Sequence, residues 1–403
     1  MKKIKKAIIS ISDKKNLKFL LKTLSKYKIE IISSGGTFKE IKKLGFECFE
    51  ISKFTGSKEI LNGRVKTLHP KIHSGILSMR NNKSHTNDLK ENNYEEIDLV
   101  IVNFYPFENT LKITNDHKKI IENIDIGGPT MARSAAKNYN DVTVITNHNQ
   151  YQELSNELKL NKGGTTLDFR KRMSVSAFAE TAYYEAVISN YFNSQSKILF
   201  PKKKIFYGNL IENLRYGENP HQDAAIYSIN NKLNLNQLHG KKLSYNNYND
   251  IFSALLISKS FPKNIGTVIL KHSNPCGVSI NKNNFSSYKL ALACDPVSAF
   301  GGIVSCNYKI NKKLALELKK IFFEVIICKS IDNDALKILK VKKNLRIIDA
   351  SRFNDNNVQN ILSFSNNILI QSLDNFFLSK SNFKVVSKKK PNLKIFKNLI
   401  FSF

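Results

Sequence analysis

The first half of the chain alternates short apolar runs with amphipathic stretches. Residues 7–12 form a nearly continuous apolar run, and leucines then recur at Leu17, Leu20 and Leu24, which is the spacing of one helix face. Three more short apolar runs are bounded by polar residues and occupy residues 29–33, 98–104 and 141–146. Buried strands separated by helices are typical of a parallel sheet covered on both faces. The pattern therefore predicts an α/β domain.

The second half again mixes apolar runs with helical patterns. Runs at residues 267–270, 303–305 and 323–327 indicate strands, and residues 394–403 carry an apolar helical pattern that has no polar end. The second half is therefore predicted to be a further α/β unit.

A break separates the two halves. A long amphipathic helix is predicted over residues 169–192, and the segment after it contains Pro201 beside a lysine run, which is typical of a linker. We therefore predict a first domain over 1–195, a linker over 196–204 and a second domain over 205–403.

Length and composition exclude several protein classes. The chain has 403 residues, of which 41% are hydrophobic and 24% charged, so it is neither disordered nor collagen-like. No run approaches the ~18 apolar residues of a membrane span. The apolar stretch after the basic N-terminus is too short for an export signal. We therefore expect a cytoplasmic protein without a membrane partner.

The cysteines favour reduced thiols. There are five, dispersed along the chain, with no Cys-x-x-Cys pair and no interleaved histidines. Such a set predicts neither a disulfide framework nor a zinc site, and most of these residues are expected to be small buried hydrophobes.

The net charge of +30 raises the possibility of a nucleic-acid partner. Only eight of the 63 basic residues are arginine, however, whereas proteins that read nucleic acids use arginine for bidentate contacts. We therefore interpret the charge as mainly compositional and expect no nucleic-acid partner. A preference for anionic, phosphorylated substrates stays open.

Candidate chemistry follows the predicted strands of the first half. Residues 10–14 (Ser-Ile-Ser-Asp-Lys) and 34–37 (Ser-Gly-Gly-Thr) each join a strand to a helix, where open parallel sheets bind ligands. Glycines at a helix start let the backbone approach an anion. Taken alone, the Ser-Gly-Gly-Thr turn is either a phosphate cradle or only a helix cap.

Two further polar segments complete the set. Residues 63–75 contain Arg64 and Lys66 around a single valine, which places both cations on one side of an extended segment. Residues 125–137 begin with Asp125 and Gly-Gly-Pro, a helix start, and end with Lys137. Either segment could also be a solvated surface.

Together these four segments, with residues 103–107 (Asn-Phe-Tyr-Pro-Phe), resemble the IMP cyclohydrolase domain of the PurH family of bifunctional purine biosynthesis enzymes. In the second half, residues 214–222, 270–277 and 295–302 resemble that family's AICAR transformylase domain. The similar segments occur in the same order over essentially the whole chain.

The resemblance implies a methylglyoxal-synthase-like first domain with a parallel sheet. This domain would close 5-formamidoimidazole-4-carboxamide ribotide to IMP with no cofactor and no metal. It implies that Lys66, Tyr105, Asp125 and Lys137 are catalytic and that alanine at Lys66 or Lys137 abolishes cyclisation. The residues implied to bind the nucleotide and its phosphate are Ser10, Ser12, Asp13, Lys14, Ser34, Gly35, Gly36, Thr37, Arg64, Val65, Thr67, Asn103, Ile126 and Gly127.

The resemblance also implies a cytidine-deaminase-like second domain without zinc. This domain would transfer a formyl group from 10-formyltetrahydrofolate, a co-substrate, to AICAR ribotide. Lys271 and His272 are implied to be catalytic, and imidazole suits proton transfer near neutral pH. Arg215, Tyr216 and Gly301 are implied to bind substrate.

Two departures from the family pattern bear on the second domain. Cys328 and Lys329 stand where the family usually has a small residue and proline. The family's final portion, whose Lys-Ser-Asn-Ala and Gly-rich segments complete the transformylase site, has no counterpart in the sequence. We therefore expect an incomplete transformylase domain, with a homodimer if that domain folds, since the family's transformylase sites combine two subunits.

Several other functions stay open. The chain could be a cyclohydrolase with an inactive, truncated transformylase domain. It could also be a non-catalytic nucleotide sensor, although retention of all four implied catalytic residues disfavours that. Methylglyoxal synthase activity would leave the second domain without a role.

Overall fold

The chain folds as two units, Met1–Tyr207 and Gly208–Phe403. The structure is a computed structural model that describes residues 1–229, 231–353, 359–374 and 380–402. The predicted linker, residues 196–204, lies at the end of the first unit.

The strands of the first unit are short. They are β1 (Lys2–Lys3), β2 (Lys6–Ile11), β3 (Glu30–Ser33), β4 (Phe49–Glu50), β5 (Leu99–Asn103), β6 (Thr143–Ile145) and β7 (Gly164–Thr165). Ten α-helices are described between and after them, together with 3-10 turns at Leu61–Gly63 and His148–Gln150. The helices are α1 (Leu17–Lys26), α2 (Gly35–Lys43), α3 (Ile51–Thr55), α4 (Pro70–Leu77), α5 (Lys83–Glu91), α6 (Phe107–Ile113), α7 (His117–Glu122), α8 (Gly127–Lys137), α9 (Tyr151–Leu160) and α10 (Leu167–Gln195).

A parallel five-stranded sheet in the order β4-β3-β2-β5-β6 forms the centre of the first unit. The apolar run of β2 is buried on both faces because helices cover both sides of the sheet. Leu17, Leu20, Leu21 and Leu24 of α1 are all buried, as their spacing predicts. The predicted parallel α/β sheet is confirmed.

The strand order determines where a ligand can bind. From β2 the chain moves outward through β3 and β4, then returns to the other side of β2 to form β5 and β6. Such a reversal opens a crevice at the carboxyl ends of the two strands that flank it. Here those strands are β2 and β5, so residues after Ile11 and Asn103 border the crevice.

The second unit has a six-stranded mixed sheet in the order β10-β15-β14-β13-β11-β12, with smaller hairpins beside it. Its strands are β8 (Asn209–Leu214), β9 (Ala224–Ser228), β10 (Asn236–His239), β11 (Gly266–Lys271), β12 (Asn274–Ile280), β13 (Ile303–Ile310), β14 (Val325–Ile331), β15 (Arg346–Asp349), β16 (Gln359–Phe364) and β17 (Asn367–Ser372). Its helices are α11 (Tyr245–Lys259), α12 (Asn284–Cys294), α13 (Lys312–Lys320), α14 (Asn333–Lys340) and α15 (Leu393–Ser402), with a 3-10 turn at Lys380–Asn382.

The strand predicted over 323–327 begins two residues later than predicted. Phe323 precedes β14 and extends the apolar run because its ring is part of the core. The ring centroid lies 6.5 Å from that of Tyr288. The predicted terminal helix is confirmed as α15, while Phe403 lies outside the described residues.

The five cysteines, all in described stretches, are free thiols. Three of them, Cys48, Cys306 and Cys328, are buried, and burial raises the pKa of Cys48 to about 11 and the pKa of Cys306 to about 12. Among the described residues no helix is long and apolar enough to cross a bilayer.

Candidate active site

A cavity of about 370 Å³ opens at the crevice beside the end of β2. Its lining includes predicted site residues from four of the five polar segments, all except residues 34–37: Ser10, Arg64, Lys66, Thr67, Tyr105, Asp125, Ile126 and Gly127. The fold therefore brings together residues up to 117 positions apart in the sequence, from Ser10 to Gly127.

Two ammonium groups approach the start of α2. Nζ of Lys66 lies 3.4 Å from the position that a Cβ would take at Gly35, and Nζ of Lys14 lies 3.9 Å from that at Gly36. Ser34, the residue before the helix, makes no side-chain capping hydrogen bond. Two cations beside free backbone N–H groups form a corner suited to a phosphate.

The loop after β2 is held by an amide. Oδ1 of Asn103 accepts from the backbone N–H groups of Ser12, at 2.5 Å, and Asp13, at 3.0 Å, while its Nδ2 donates to the Asp13 carbonyl at 2.8 Å. Thr37 likewise uses its hydroxyl within the protein, donating to the Ile11 carbonyl at 2.8 Å. These side chains shape the loops that border the cavity.

Asp125 is a partly buried acid of the cavity. Its Oδ1 accepts from the Gly128 N–H at 2.9 Å, and its Oδ2 accepts from the Tyr105 N–H at 3.3 Å. Burial raises the pKa of Asp125 above its ordinary value of 3.8, while these two N–H groups and the charge of Lys66 pull it down. The carboxyl can therefore exchange a proton more readily than an exposed aspartate.

We expect Lys66→Met to raise the pKa of Asp125 further, because it removes a cation that stabilises the carboxylate. Carboxyl ¹³C NMR titration measures this directly. The raised pKa also makes the free energy of unfolding depend on pH. The contribution of protonated Asp125 to stability is complete below pH 3.8 and is lost as the pH rises through the pKa of Asp125 in the folded state. An Asp125 titration unchanged in Lys66→Met would contradict the described proximity.

Two glycines allow the start of α8 to approach the rest of the cavity. A Cβ at Gly127 would overlap Oγ1 of Thr67. A Cβ at Gly128 would lie 2.6 Å from Oδ2 of Asp125. Both contacts are too close for any side chain, so this approach requires glycine at both positions.

Some residues at the cavity were not predicted. Glu122 pairs with the Arg64 guanidinium across the cavity mouth, and Tyr184 on α10 accepts the Asp125 N–H at 2.8 Å. Gly128 was within a motif that the sequence analysis singled out, but Glu122 and Tyr184 sit in ordinary helical patterns that carry no signal for the site.

Other predicted residues have different partners. Oδ2 of Asp13 lies 3.4 Å from Nδ1 of His148, and Asp13 is not among the residues that line the cavity. Lys137 is exposed at the last turn of α8, about 15 Å along the helix axis from Gly127 at 1.5 Å per residue. The structure therefore does not bring Lys137 to the described cavity, and its catalytic role stays a prediction.

In the second unit His272 occupies a tight hairpin turn between β11 and β12. His272 and Ser273 both have positive φ, 52° and 60°, a conformation in which glycine or asparagine is usual. Asp250 on α11 accepts the Ser273 N–H at 2.7 Å, and Asn249 donates to the Ser273 hydroxyl at 2.9 Å. The strained turn is thus held by two side chains of one helix.

Lys271 and Gly301 lie close together. Nζ of Lys271 donates to the Phe300 carbonyl at 3.0 Å, and Gly301, with φ of 75°, adjoins this contact. Arg215 is exposed and its guanidinium carbon lies 5.7 Å from the Tyr216 ring centre. The loop after these residues is tied to α11, because Asn246 donates to the Glu218 carbonyl at 3.3 Å.

A larger cavity of the second unit, about 460 Å³, does not include Lys271 or His272 in its lining among the described residues. Lys329 and Cys328, the two residues of one departure from the family pattern, both line this cavity, and Cys328 is buried. Over the described stretches no group of three or more histidine, cysteine, aspartate or glutamate side chains could hold a metal ion.

The first cavity is equipped for one kind of chemistry. A cationic corner can hold a phosphate, while Lys66, Tyr105 and Asp125 place an ammonium, a phenol and a partly buried carboxyl around the remaining space. Such a set can stabilise developing negative charge and move protons on a bound nucleotide.

Comparisons with known proteins agree with the sequence motifs. The family model described as AICARFT/IMPCHase bienzyme matches residues 135–403, and the one described as MGS-like domain matches residues 16–130. A solved chain described as the crystal structure of ForH aligns with 47% of this chain and 97% of its own, at 28% identity and a TM-score of 0.43, an overlap too loose to bear on the fold.

Curated relatives align along the whole chain, and each is a bifunctional purine biosynthesis protein PurH. The protein from Bradyrhizobium diazoefficiens is 42% identical over 100% of this chain and 77% of its own length. The protein from Prochlorococcus marinus is 45% identical over 98% and 79%, and that from Leptospira biflexa is 40% identical over 100% and 79%. The resemblance found in the sequence is confirmed, and the chain belongs to the AICARFT/IMPCHase bienzyme family.

Proposed function

We propose that the chain carries out both reactions of its family. The second unit transfers a formyl group from 10-formyltetrahydrofolate to the amine of AICAR ribotide, and the first unit closes the formylated ribotide to IMP. The observation that supports the cyclisation activity is that Lys66, Tyr105 and Asp125 line a single cavity beside the cationic corner at α2.

Cyclisation joins two groups of one bound molecule. The carboxamide nitrogen attacks the formyl carbon, a C–N bond forms, and the former formyl oxygen leaves as water. The nitrogen is a poor nucleophile, so holding the two groups in contact can contribute up to ~7–11 kcal/mol. In the proposed mechanism the cavity's residues and the phosphate corner impose this conformation.

The cavity residues also manage charge and protons. The Lys66 ammonium stabilises the negative charge that develops on the formyl oxygen. Asp125 and Tyr105 move protons between the attacking nitrogen and the departing oxygen, which contributes ~10²–10⁴-fold. The raised pKa of the Asp125 carboxyl suits it to this exchange.

Phosphate binding tests the proposal at the corner itself. We expect Lys14→Met to weaken IMP binding about tenfold, because a charge-assisted hydrogen bond contributes ~1.5–3 kcal/mol. Lys15→Met, an exposed neighbour with the same charge change, is the matched control and should bind normally. If calorimetry gave equal IMP affinities for the two variants, the phosphate would not bind at this corner.

For formyl transfer, we propose that His272 moves the proton and Lys271 stabilises the charge at the transferred group. Arg215, Tyr216 and Gly301 contribute to substrate binding. 10-Formyltetrahydrofolate is the co-substrate, no metal takes part, and the second units meet in a homodimer. We further propose that the protein works in the cytoplasm.

The hairpin turn supplies a separate prediction. Asp250→Ala should lower formyl transfer at least tenfold, because the turn that holds His272 loses the acceptor of its Ser273 N–H. Asp250→Asn retains an acceptor and should keep most of the rate. Cyclisation by the first unit is the internal control, and equal losses of both activities would contradict a local effect.

Lys137 remains in the proposal through the family resemblance. We propose that the Lys137 ammonium reaches the cavity of a second copy of the chain. The variant Lys137→Ala is then expected to lose cyclisation activity. An unchanged rate in the folded variant would remove Lys137 from the site.

A further inference from the structure

Behind the cavity wall, a histidine connects two of the segments that form it. His73 lies on α4, and its Nδ1 is 3.1 Å from Oγ of Ser134 on α8. The Ser134 hydroxyl donates to the Thr130 carbonyl at 2.9 Å, so it accepts a hydrogen bond from His73. This hydrogen-bond pattern assigns the proton of the neutral ring to Nδ1.

The second ring nitrogen makes no hydrogen bond of ordinary length and angle, although the ring lies near the Thr67 backbone. Nε2 of His73 is buried and has no partner among the described residues. Burial lowers the pKa of His73, and the Thr67 backbone opposes part of that shift, so the ring is neutral near pH 7. A buried acceptor without a donor lowers the stability of the fold, a cost that an apolar side chain would avoid. Such an atom calls for an explanation other than packing.

The histidine is placed where the cavity walls meet. Gly127, Thr130 and Ser134 recur at the spacing of one face of α8. Thr67 lies against Gly127 in the first turn of that helix, and His73 contacts Ser134 two turns later. Residues 63–75, which include Lys66, therefore contact α8 at two points, one in each of two successive parts of the helix.

We propose that His73 is a positioning residue for the cyclisation. It holds the 64–67 segment against α8, so that Lys66 and Asp125 keep the separation that the reaction requires. His73 is not among the cavity-lining residues and acts through Thr67 and Ser134. This inference rests on the proposed cyclohydrolase function.

The variant His73→Leu separates positioning from packing. We expect kcat for IMP formation to fall about 10- to 100-fold, because small displacements of catalytic groups are costly to rate. KM should stay within about twofold, since Lys14 and the start of α2 are untouched, and Tm should not fall, because leucine removes the unpaired acceptor. A purely structural role predicts the opposite: a lower Tm with an unchanged kcat.

Three further variants make the test specific. His73→Asn retains a donor for Ser134 and should recover part of kcat. Ser134→Ala removes that acceptor without changing the ring, should lower kcat, and should not add to the effect of His73→Leu. Ile76→Val, a buried change on the same helix, should leave kcat unaltered.

Three outcomes would overturn the inference. With an active wild-type chain, a kcat within twofold of wild type in both His73→Leu and Ser134→Ala contradicts the positioning role alone. A rise in KM at unchanged kcat contradicts it as well, because His73 would then act on substrate binding. A folded wild-type chain that forms no IMP contradicts the proposed function and this role together.

Discussion

Lys66→Met is expected to lower kcat for IMP formation by about 10²–10³, the usual effect of removing one donor that stabilises a developing oxyanion. Lys66 lines the cavity that Asp125 and Tyr105 share, and its charge acts on the Asp125 carboxyl. Binding of IMP should weaken far less, because Lys14 and the start of α2 remain in place. Steady-state kinetics with the formylated ribotide and IMP calorimetry measure the two effects.

Lys71→Met is the matched control for this prediction. It lies five residues along the same segment and carries the same charge, but its ammonium stacks on the Phe54 ring, 4.9 Å from the ring centre. It should keep the wild-type rate. Equal losses in Lys66→Met and Lys71→Met would show that net charge matters and that the assignment of Lys66 is wrong.

Gly127→Ala is expected to lower both stability and activity. Its Cβ would overlap Oγ1 of Thr67, so the helix start and the Lys66 segment must move apart. Overpacking of this kind costs about 1–3 kcal/mol, and displacement of the catalytic groups should lower kcat at least 10²-fold. Chemical denaturation and kinetics of the purified variant give the two values.

A second substitution identifies the collision. Adding Thr67→Ala to Gly127→Ala removes the overlapping oxygen and should recover most of the lost stability. Activity should recover less, since Thr67 itself borders the cavity. A Gly127→Ala chain with normal stability and normal kcat would contradict the described approach of the two segments.

Much of the first unit's fold could be predicted because four of its strands, β2, β3, β5 and β6, are buried almost throughout. A short, nearly continuous apolar run between two helical patterns, such as residues 7–12, is typical of a buried strand. The mixed sheet of the second unit was less accessible to prediction. Its strand β13 continues through Asn307 and Lys309, where polar residues alternate with buried Tyr308 and Ile310, so only its first three residues were predicted.

The site was predictable where chemistry lies at strand ends. Lys14, Lys66 and Asp125 occur in polar segments that follow strands or open helices, and a parallel sheet places such segments on one edge. The partners of these residues were not predictable. The ion pair of Arg64 with Glu122 joins residues 58 positions apart, and Glu122 occurs in an ordinary helical pattern.

Family resemblance and geometry differ in what they say of single residues. The resemblance implies that Asn103 binds substrate, whereas its amide is used to hold the loop of Ser12 and Asp13. It also implies a catalytic Lys137, which the end of α8 holds away from the described cavity. Motifs identify a segment, but the direction of each side chain depends on packing that no local pattern encodes.

The most direct test gives the purified 403-residue chain two sets of substrates. One is the formylated ribotide alone, and the other is AICAR ribotide with 10-formyltetrahydrofolate. We predict IMP from both. If IMP forms only from the formylated ribotide, the chain is a cyclohydrolase with an inactive second unit. If a folded chain given the formylated ribotide forms no IMP, the central claim is contradicted.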